Sequence, residues 1–268
     1  MPWTQSLPRL AWNLVGPPTA QPLVFVSGLG GVQAAWFNQV RAFQEHFYVL
    51  TFDHRGTGAS DASDAPATVE TFAADLGRLL DELGLGPVDA VGLSFGGRVL
   101  QALALQAPHR LRRMVLGGTS CGGQGRVIPD AVRALSEAPL TDLDAEQARW
   151  EDRILPVLFG RRYRERYPDR MRSLARWRAR HPTDPVGLRA QWDAWRTFDV
   201  CGRLGEIATP TLVLHGEDDA LATRAGAEQL ARGLRSARLE ILPGVGHSPN
   251  VEDPEAFNGA ISRFLRAV

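Results

Sequence analysis

Short apolar runs bounded by turn residues recur along the chain. They are PLVFVSG (22–28), FYVLTFD (47–53), VDAVGLS (88–94), RRMVLGG (112–118), PTLVLHG (210–216) and RLEILPG (238–244). Each is too short for a typical helix and rich in β-branched or aromatic residues, which predicts buried strands. RLAWNLVG (9–16) predicts an earlier, more exposed strand. Between them, Val69, Phe72, Ala73, Leu76, Leu79, Leu80 and Leu83 repeat at the spacing of one buried helix face. Near the end, Asp253 stands where an N-cap belongs and Pro254 at the first helical position, with Phe257, Ile261 and Phe264 following at helical spacing. Alternating strands and helices predict an α/β fold, a largely parallel sheet with helices on both faces.

Residues 122–198 break this rhythm. They hold no convincing strand, and Pro139, Pro168, Pro182 and Pro185 divide them into helical pieces. The expectation is a helical insertion between two strands. Its 15 Arg and several aromatics (Trp150, Phe159, Tyr163, Tyr167, Trp177, Trp192, Trp195 and Phe198) raise the question of RNA binding. However, 11 acidic residues are interleaved with them, as on a solvated helical surface.

Composition narrows the classes. A chain of 268 residues with 44% hydrophobic content can bury a large core, and α/β folds of this size often form one unit. Thirty basic residues balance thirty acidic ones, so no global field steers nucleic acid or an anionic membrane. All thirty basic residues are Arg. The two cysteines, Cys121 and Cys201, form no C-x-x-C pair or metal-type spacing, which predicts two free thiols and no metal. The opening MPWTQSLPRLAWNL has no basic start followed by a sustained apolar run, and no stretch approaches the roughly 18 apolar residues of a membrane span. A soluble cytoplasmic protein, monomer or homodimer, acting on a small molecule is expected.

The candidate chemistry centres on GLSFG (92–96), where Ser94 follows a predicted strand and precedes the helix-like RVLQALALQA. G-x-S-x-G alone can be a tight turn. Between a strand and a helix, its glycines permit a sharp bend that lifts the serine hydroxyl off the sheet, above a helix N-terminus. A serine nucleophile needs a base oriented by an acid. Of the six histidines, His247 lies in PGVGHSPN directly after the last predicted strand, and His54 in DHRGTG is its main competitor. His215 sits at a strand end, as packing, while His46, His109 and His181 fall in surface turns or helix ends. LVLHGEDD ends a strand with three carboxylates, Glu217, Asp218 and Asp219, of which one should face the base and the others be solvated or cap a helix. TSCGG after the preceding strand carries none.

An oxyanion site needs backbone N–H donors. The glycine-dense turn VFVSGLGG (24–31) offers Leu29 N–H, and Phe95 N–H follows the serine directly. The same turn as a dinucleotide cradle would need G-x-G-x-x-G, but position 33 is Gln. A chain without Lys has no Walker loop either.

With SGLGG (27–31), DHRGTGAS (53–60), GLSFGG (92–97), HGEDD (215–219) and GHSPNVEDPEAF (246–257) in this order, the chain resembles the α/β-hydrolase superfamily over nearly its whole length. The resemblance implies an eight-stranded type of sheet with a helical cap inserted after strand 6. Residues 1–121 and 199–268 would then be the core and 122–198 the cap. It implies Ser94 as nucleophile, His247 as base, Asp219 as acid and no cofactor. DHRGTGAS becomes a structural turn, which demotes His54. The His-Gly frequent in the family's oxyanion turn is replaced here at Ser27, which should alter shape and selectivity more than chemistry. A serine nucleophile argues against the Asp-dependent dehalogenases and epoxide hydrolases.

The resemblance extends to esterases and 3-oxoadipate enol-lactonase-like members, which implies cleavage of an ester, thioester or lactone through an acyl-enzyme. Carbon–carbon bond hydrolysis, cofactor-free haloperoxidase or perhydrolase chemistry, and a ligand receptor of slow turnover share the same residues. Gly28, Trp150, Trp192 and Trp195 are candidate substrate contacts, and one Arg of the segment can pair a substrate carboxylate; packing and surface exposure are the plainer roles for each.

Overall fold

The apolar runs form the strands of one sheet. In the computed structural model, which describes residues 1–62, 65–122, 133–134 and 137–266, the strands are β1 (Trp12–Val15), β2 (Pro22–Val26), β3 (Tyr48–Phe52), β4 (Val88–Leu93), β5 (Leu111–Gly117), β6 (Thr211–Gly216) and β7 (Ala237–Leu242). Their order is β1-β3-β2-β4-β5-β6-β7. Only β1 is antiparallel to its neighbour; the other pairs are parallel. Among the described residues the sheet has seven strands where an eight-stranded type was expected, and the helical insertion follows the fifth. Ahead of β1 the chain makes only an isolated antiparallel bridge between Trp3 and Ala11. Pro2 and Pro8 on that stretch lack the N–H a longer ladder requires.

Alternation along each strand builds a core on both faces. Leu23 and Phe25 of β2 pack with Trp36, Phe43, Phe257 and Ile261, beneath α1 (Phe37–Phe43) and the Pro254–Arg266 helix. Val24 and Val26 point the other way, into Phe72, Leu76, Phe95 and Val99 of α2 (Val69–Glu82) and α3 (Phe95–Gln106). Each such large side chain contributes roughly 1.5–3 kcal/mol by leaving water. The expected cap of the last helix is present, with Asp253 Oδ1 accepting from Ala256 N at 2.9 Å.

Between β5 and β6 the described residues form helices and no strand, including Leu143–Arg149, Arg161–Arg166, Pro168–Arg180 and Pro185–Thr197. Positions 123–132 and 135–136 of that stretch lie outside the described residues. Pro168 and Pro185 open their helices, where a missing N–H costs nothing, and Asp184 caps the latter by accepting from Val186 N and Gly187 N. A π-helical turn, Trp150–Ile154, helps these helices enclose a hydrophobic cluster that includes Trp150, Ile154, Leu155, Phe159 and Met171.

The cysteines are not free thiols. Cys121 and Cys201 form a disulfide across 80 positions of sequence. The returning end of the insertion runs back beside its exit before the chain crosses to the start of β6. Gly122 bridges Asp199, and Val200 N donates to Cys121 O at 2.9 Å. Among the described residues, no helix is long and apolar enough to cross a membrane.

Candidate active site

Ser94 joins β4 to α3 at φ 54° and ψ −112°, and among the described residues no other non-glycine has a positive φ. Side chains seldom adopt this region, so the surroundings must hold it. Ser94 N donates to Gly117 O at 2.8 Å, while Ser94 O accepts from Thr119 Oγ1 at 2.7 Å. The bend also requires Gly96, where a Cβ would stand 2.1 Å from Val26 O. Thus β2 and β5, the two flanking strand ends, fix the serine at the mouth of α3.

The histidine and the acid arrive on two further strand ends. Asp219 lies just past β6, and His247 lies in the loop after β7. His247 Nδ1 and Asp219 Oδ2 are 2.8 Å apart, with both side chains shielded from solvent. Asp219 Oδ1 accepts from Leu221 N and Ala222 N at 2.8 and 2.9 Å. Burial pushes the Asp219 carboxyl up, but His247 and these hydrogen bonds outweigh it and hold it below the usual carboxylate range. Glu217 accepts from Gly244 N, and Asp218 is exposed. Of the three consecutive carboxylates, Asp219 is the one facing the histidine.

The histidine loop has a support that the sequence reading missed. Glu252 accepts from Gly246 N at 2.9 Å and Ser248 N at 3.2 Å, on either side of His247, and from Gly160 N of the helical segment at 3.0 Å. Burial pushes its carboxyl above the ordinary value. Glu252 lies inside GHSPNVEDPEAF, so the signal was in view, but nothing local distinguishes it from the neighbouring acids.

Leu29 and Phe95 stand beside Ser94. Phe95 begins α3 and has no acceptor within its own helix; among the described residues neither its N–H nor that of Leu29 donates to a protein acceptor. The glycine-dense turn is held from outside: Gly30 N donates to Gln191 Oε1 at 2.9 Å. Ser27 accepts from Trp36 Nε1 through Oγ and faces His54 Nε2 through its carbonyl. His54 is enclosed by Phe52, Phe72 and Phe95. Burial lowers its pKa to about 4, so it is neutral at physiological pH and belongs to the core. His215 is likewise buried, with its pKa lowered by burial first.

A cavity of about 430 Å³ opens above these groups, between the sheet's C-terminal edge and the inserted helices. Gly28, Leu29, Ser94, Trp150 and His247 line it, with mostly apolar neighbours. Trp192 and Trp195 line a recess of about 40 Å³ on the other side of Ser94 and His247. There Trp195 stacks on Trp192 at 5.1 Å, with the Arg98 guanidinium 4.6 Å from its ring. The candidate contacts therefore divide between two spaces that meet at the serine.

Charged groups in the cavity wall escaped the sequence reading. Glu146 is buried against Arg149, at 2.6 and 2.8 Å, and also accepts from Trp150 Nε1 at 3.0 Å. Arg178 lies over the Trp150 ring at 4.5 Å. The i, i+3 spacing of Glu146 and Arg149 was a readable signal for the pair. Nothing in the sequence separates Arg178 from the other arginines of the segment.

Comparison with known proteins agrees with this architecture. A sequence profile of the alpha/beta hydrolase fold family matches residues 21–254. A protein of Variovorax paradoxus, named as a proposed carbamate hydrolase, RutD, is 32% identical over 97% of each chain. A 3-oxoadipate enol-lactonase of Acinetobacter baylyi is 28% identical over 91% of this chain and 88% of its own. The crystal structure of the enol-lactonase from Burkholderia xenovorans superposes with a TM-score of 0.86 at 31% identity, covering 99% of this chain and 100% of that one. The chain belongs to the α/β-hydrolase-fold family.

Proposed function

We propose that this hydrolase cleaves a small-molecule carboxylic ester, thioester or lactone through an acyl-enzyme on Ser94. Residues 1–121 and 199–268 act as the hydrolase core, and 122–198 cap the site. The observation that carries the reading is Ser94 at φ 54° on a strand-to-helix bend, at one cavity with the hydrogen-bonded His247–Asp219 pair.

The chemistry follows from the arrangement. With Asp219 ionised, the His247 proton sits on Nδ1, and Nε2 is free to accept. Ser94 Oγ attacks the carbonyl carbon while His247 takes the hydroxyl proton. The carbonyl oxygen becomes an anion received by Leu29 and Phe95 N–H, each donor contributing on the order of 10²–10³ in rate. The carbon–oxygen bond to the alcohol breaks, and His247 returns the proton to the leaving oxygen; in a lactone that alcohol stays tethered to the acyl group. Water then attacks the acyl-enzyme, giving its proton to His247, and the serine hydroxyl is restored as the acid leaves. The enol-lactone and carbamate named for relatives both present an acyl carbon open to the same attack.

A fluorophosphonate is expected to label Ser94 covalently. Ser94→Ala should lose both that label and p-nitrophenyl ester hydrolysis, read by mass spectrometry and absorbance. Undiminished turnover in Ser94→Ala would overturn the proposal.

A further inference from the structure

Arg178 is a buried cation with no ion-pair partner among the described residues. It projects from the Pro168–Arg180 helix into the cavity wall. Among the described residues no carboxylate lies within ion-pair distance of it. Its Nη1 points at Gly30 O at 3.4 Å, its Nη2 donates to Thr183 Oγ1 at 3.2 Å, and its Nε is buried without a partner. Glu146, the carboxylate whose charge acts on it, is already committed to Arg149, Trp150 and Leu140 N. With that pair cancelling, Arg178 is the one arginine among the described lining residues with no carboxylate paired to it.

This placement is costly unless it is used. Burial pushes the guanidinium down to about 10, with the pull of Glu146 opposed by Arg149, so it stays charged at neutral pH and bears the desolvation with no ion-pair partner among the described residues. Its position is also preorganised. The Trp150 ring supports one face at 4.5 Å, and Glu146 holds the edge of that ring through Nε1. Gly30, against which the fork rests, adjoins Leu29, the residue proposed to receive the oxyanion. A planar fork with unused donors, in an apolar cavity beside the reacting carbonyl, suits a carboxylate.

Building on the esterase reading above, we infer that the substrate carries a second, free carboxylate, and that Arg178 binds it. The substrate class is thus a half-ester or lactone of an acid with two carboxyl groups, rather than a neutral fatty or aryl ester. Arg178 acts as a specificity residue and takes no part in bond breaking.

The test compares p-nitrophenyl hydrogen adipate, which is anionic, with neutral p-nitrophenyl hexanoate. The wild-type protein should favour the anion, and Arg178→Met should lower the anion-to-neutral ratio of kcat/KM by roughly 10- to 100-fold. Arg178→Lys, keeping charge but not the fork, should fall between them, and thermal melts of all three report folding. An equal ratio in wild type and either folded variant overturns the inference. A second readout does not depend on turnover. In a Ser94→Ala background, tryptophan fluorescence should report tighter binding of monomethyl adipate than of methyl hexanoate, with the difference lost on adding Arg178→Met. If neither ester is hydrolysed, the esterase reading fails, and this binding difference still decides the carboxylate site: its absence overturns it.

Discussion

Asp219 differs from Asp218 in direction, and direction decides what a carboxylate can do. The chain turns just after β6, so that Asp219 points inward to two backbone amides and His247 while Asp218 points to water. Removing the inward charge costs the base its orientation and the imidazolium its stabilisation; removing the outward one costs neither. Asp219→Asn should lower kcat by on the order of 10³–10⁴, while Asp218→Asn should stay near wild type in the same p-nitrophenyl assay. The reverse ranking would identify the wrong carboxylate as the acid. At this scale the sequence was legible where residue type and loop position suffice, as for Ser94 and His247. It was not legible for Arg178. Fifteen arginines share its segment, and only tertiary packing buries this one in the cavity wall with no carboxylate paired to it among the described residues.

Among the elements, the Pro185–Thr197 helix packs backbone against backbone. Gly187 on this helix meets Gly56 of the DHRGTGAS turn so nearly that a Cβ on Gly187 would stand 2.0 Å from Gly56 O. One turn further along, Gln191 holds Gly30 N and reaches Arg55 O. The helix is therefore a brace between the two loops that shape the site. Gly187→Ala must push backbone against backbone, and should lower unfolding free energy by about 1–3 kcal/mol in urea titration. It should also lower esterase activity, because the 27–31 turn moves with the helix. Gly202→Ala, where a Cβ meets nothing within 4 Å, serves as the control and should stay within roughly 0.5 kcal/mol of wild type. Strand periods and helix starts were readable here because they depend on neighbours in sequence. The brace was not, since Gly56 and Gly187 meet only after two distant segments have folded.

For the whole molecule, the count of strands and the state of the cysteines were the two expectations that changed, and both depend on how chain ends and insertions return. Prolines halt the ladder before β1, and residues 121 and 201 are brought together by the Gly122–Asp199 bridge between distant segments. The Cys121–Cys201 bond joins the start of the insertion, just past β5, to its end, ahead of the Cys201–Glu206 turn that leads to β6. Replacing both cysteines by serine should lower unfolding free energy by about 2–4 kcal/mol, seen as a reduced urea midpoint. No shift would mean that the hydrogen bonds beside the bond already hold the two ends of the insertion together. The bond has a further consequence, one of connectivity rather than strength. It turns the inserted helices into a covalent ring hung from the sheet. A break of the chain anywhere between 122 and 200 would leave a single molecule in which every strand of the sheet remained covalently attached, until a reductant opened the clasp.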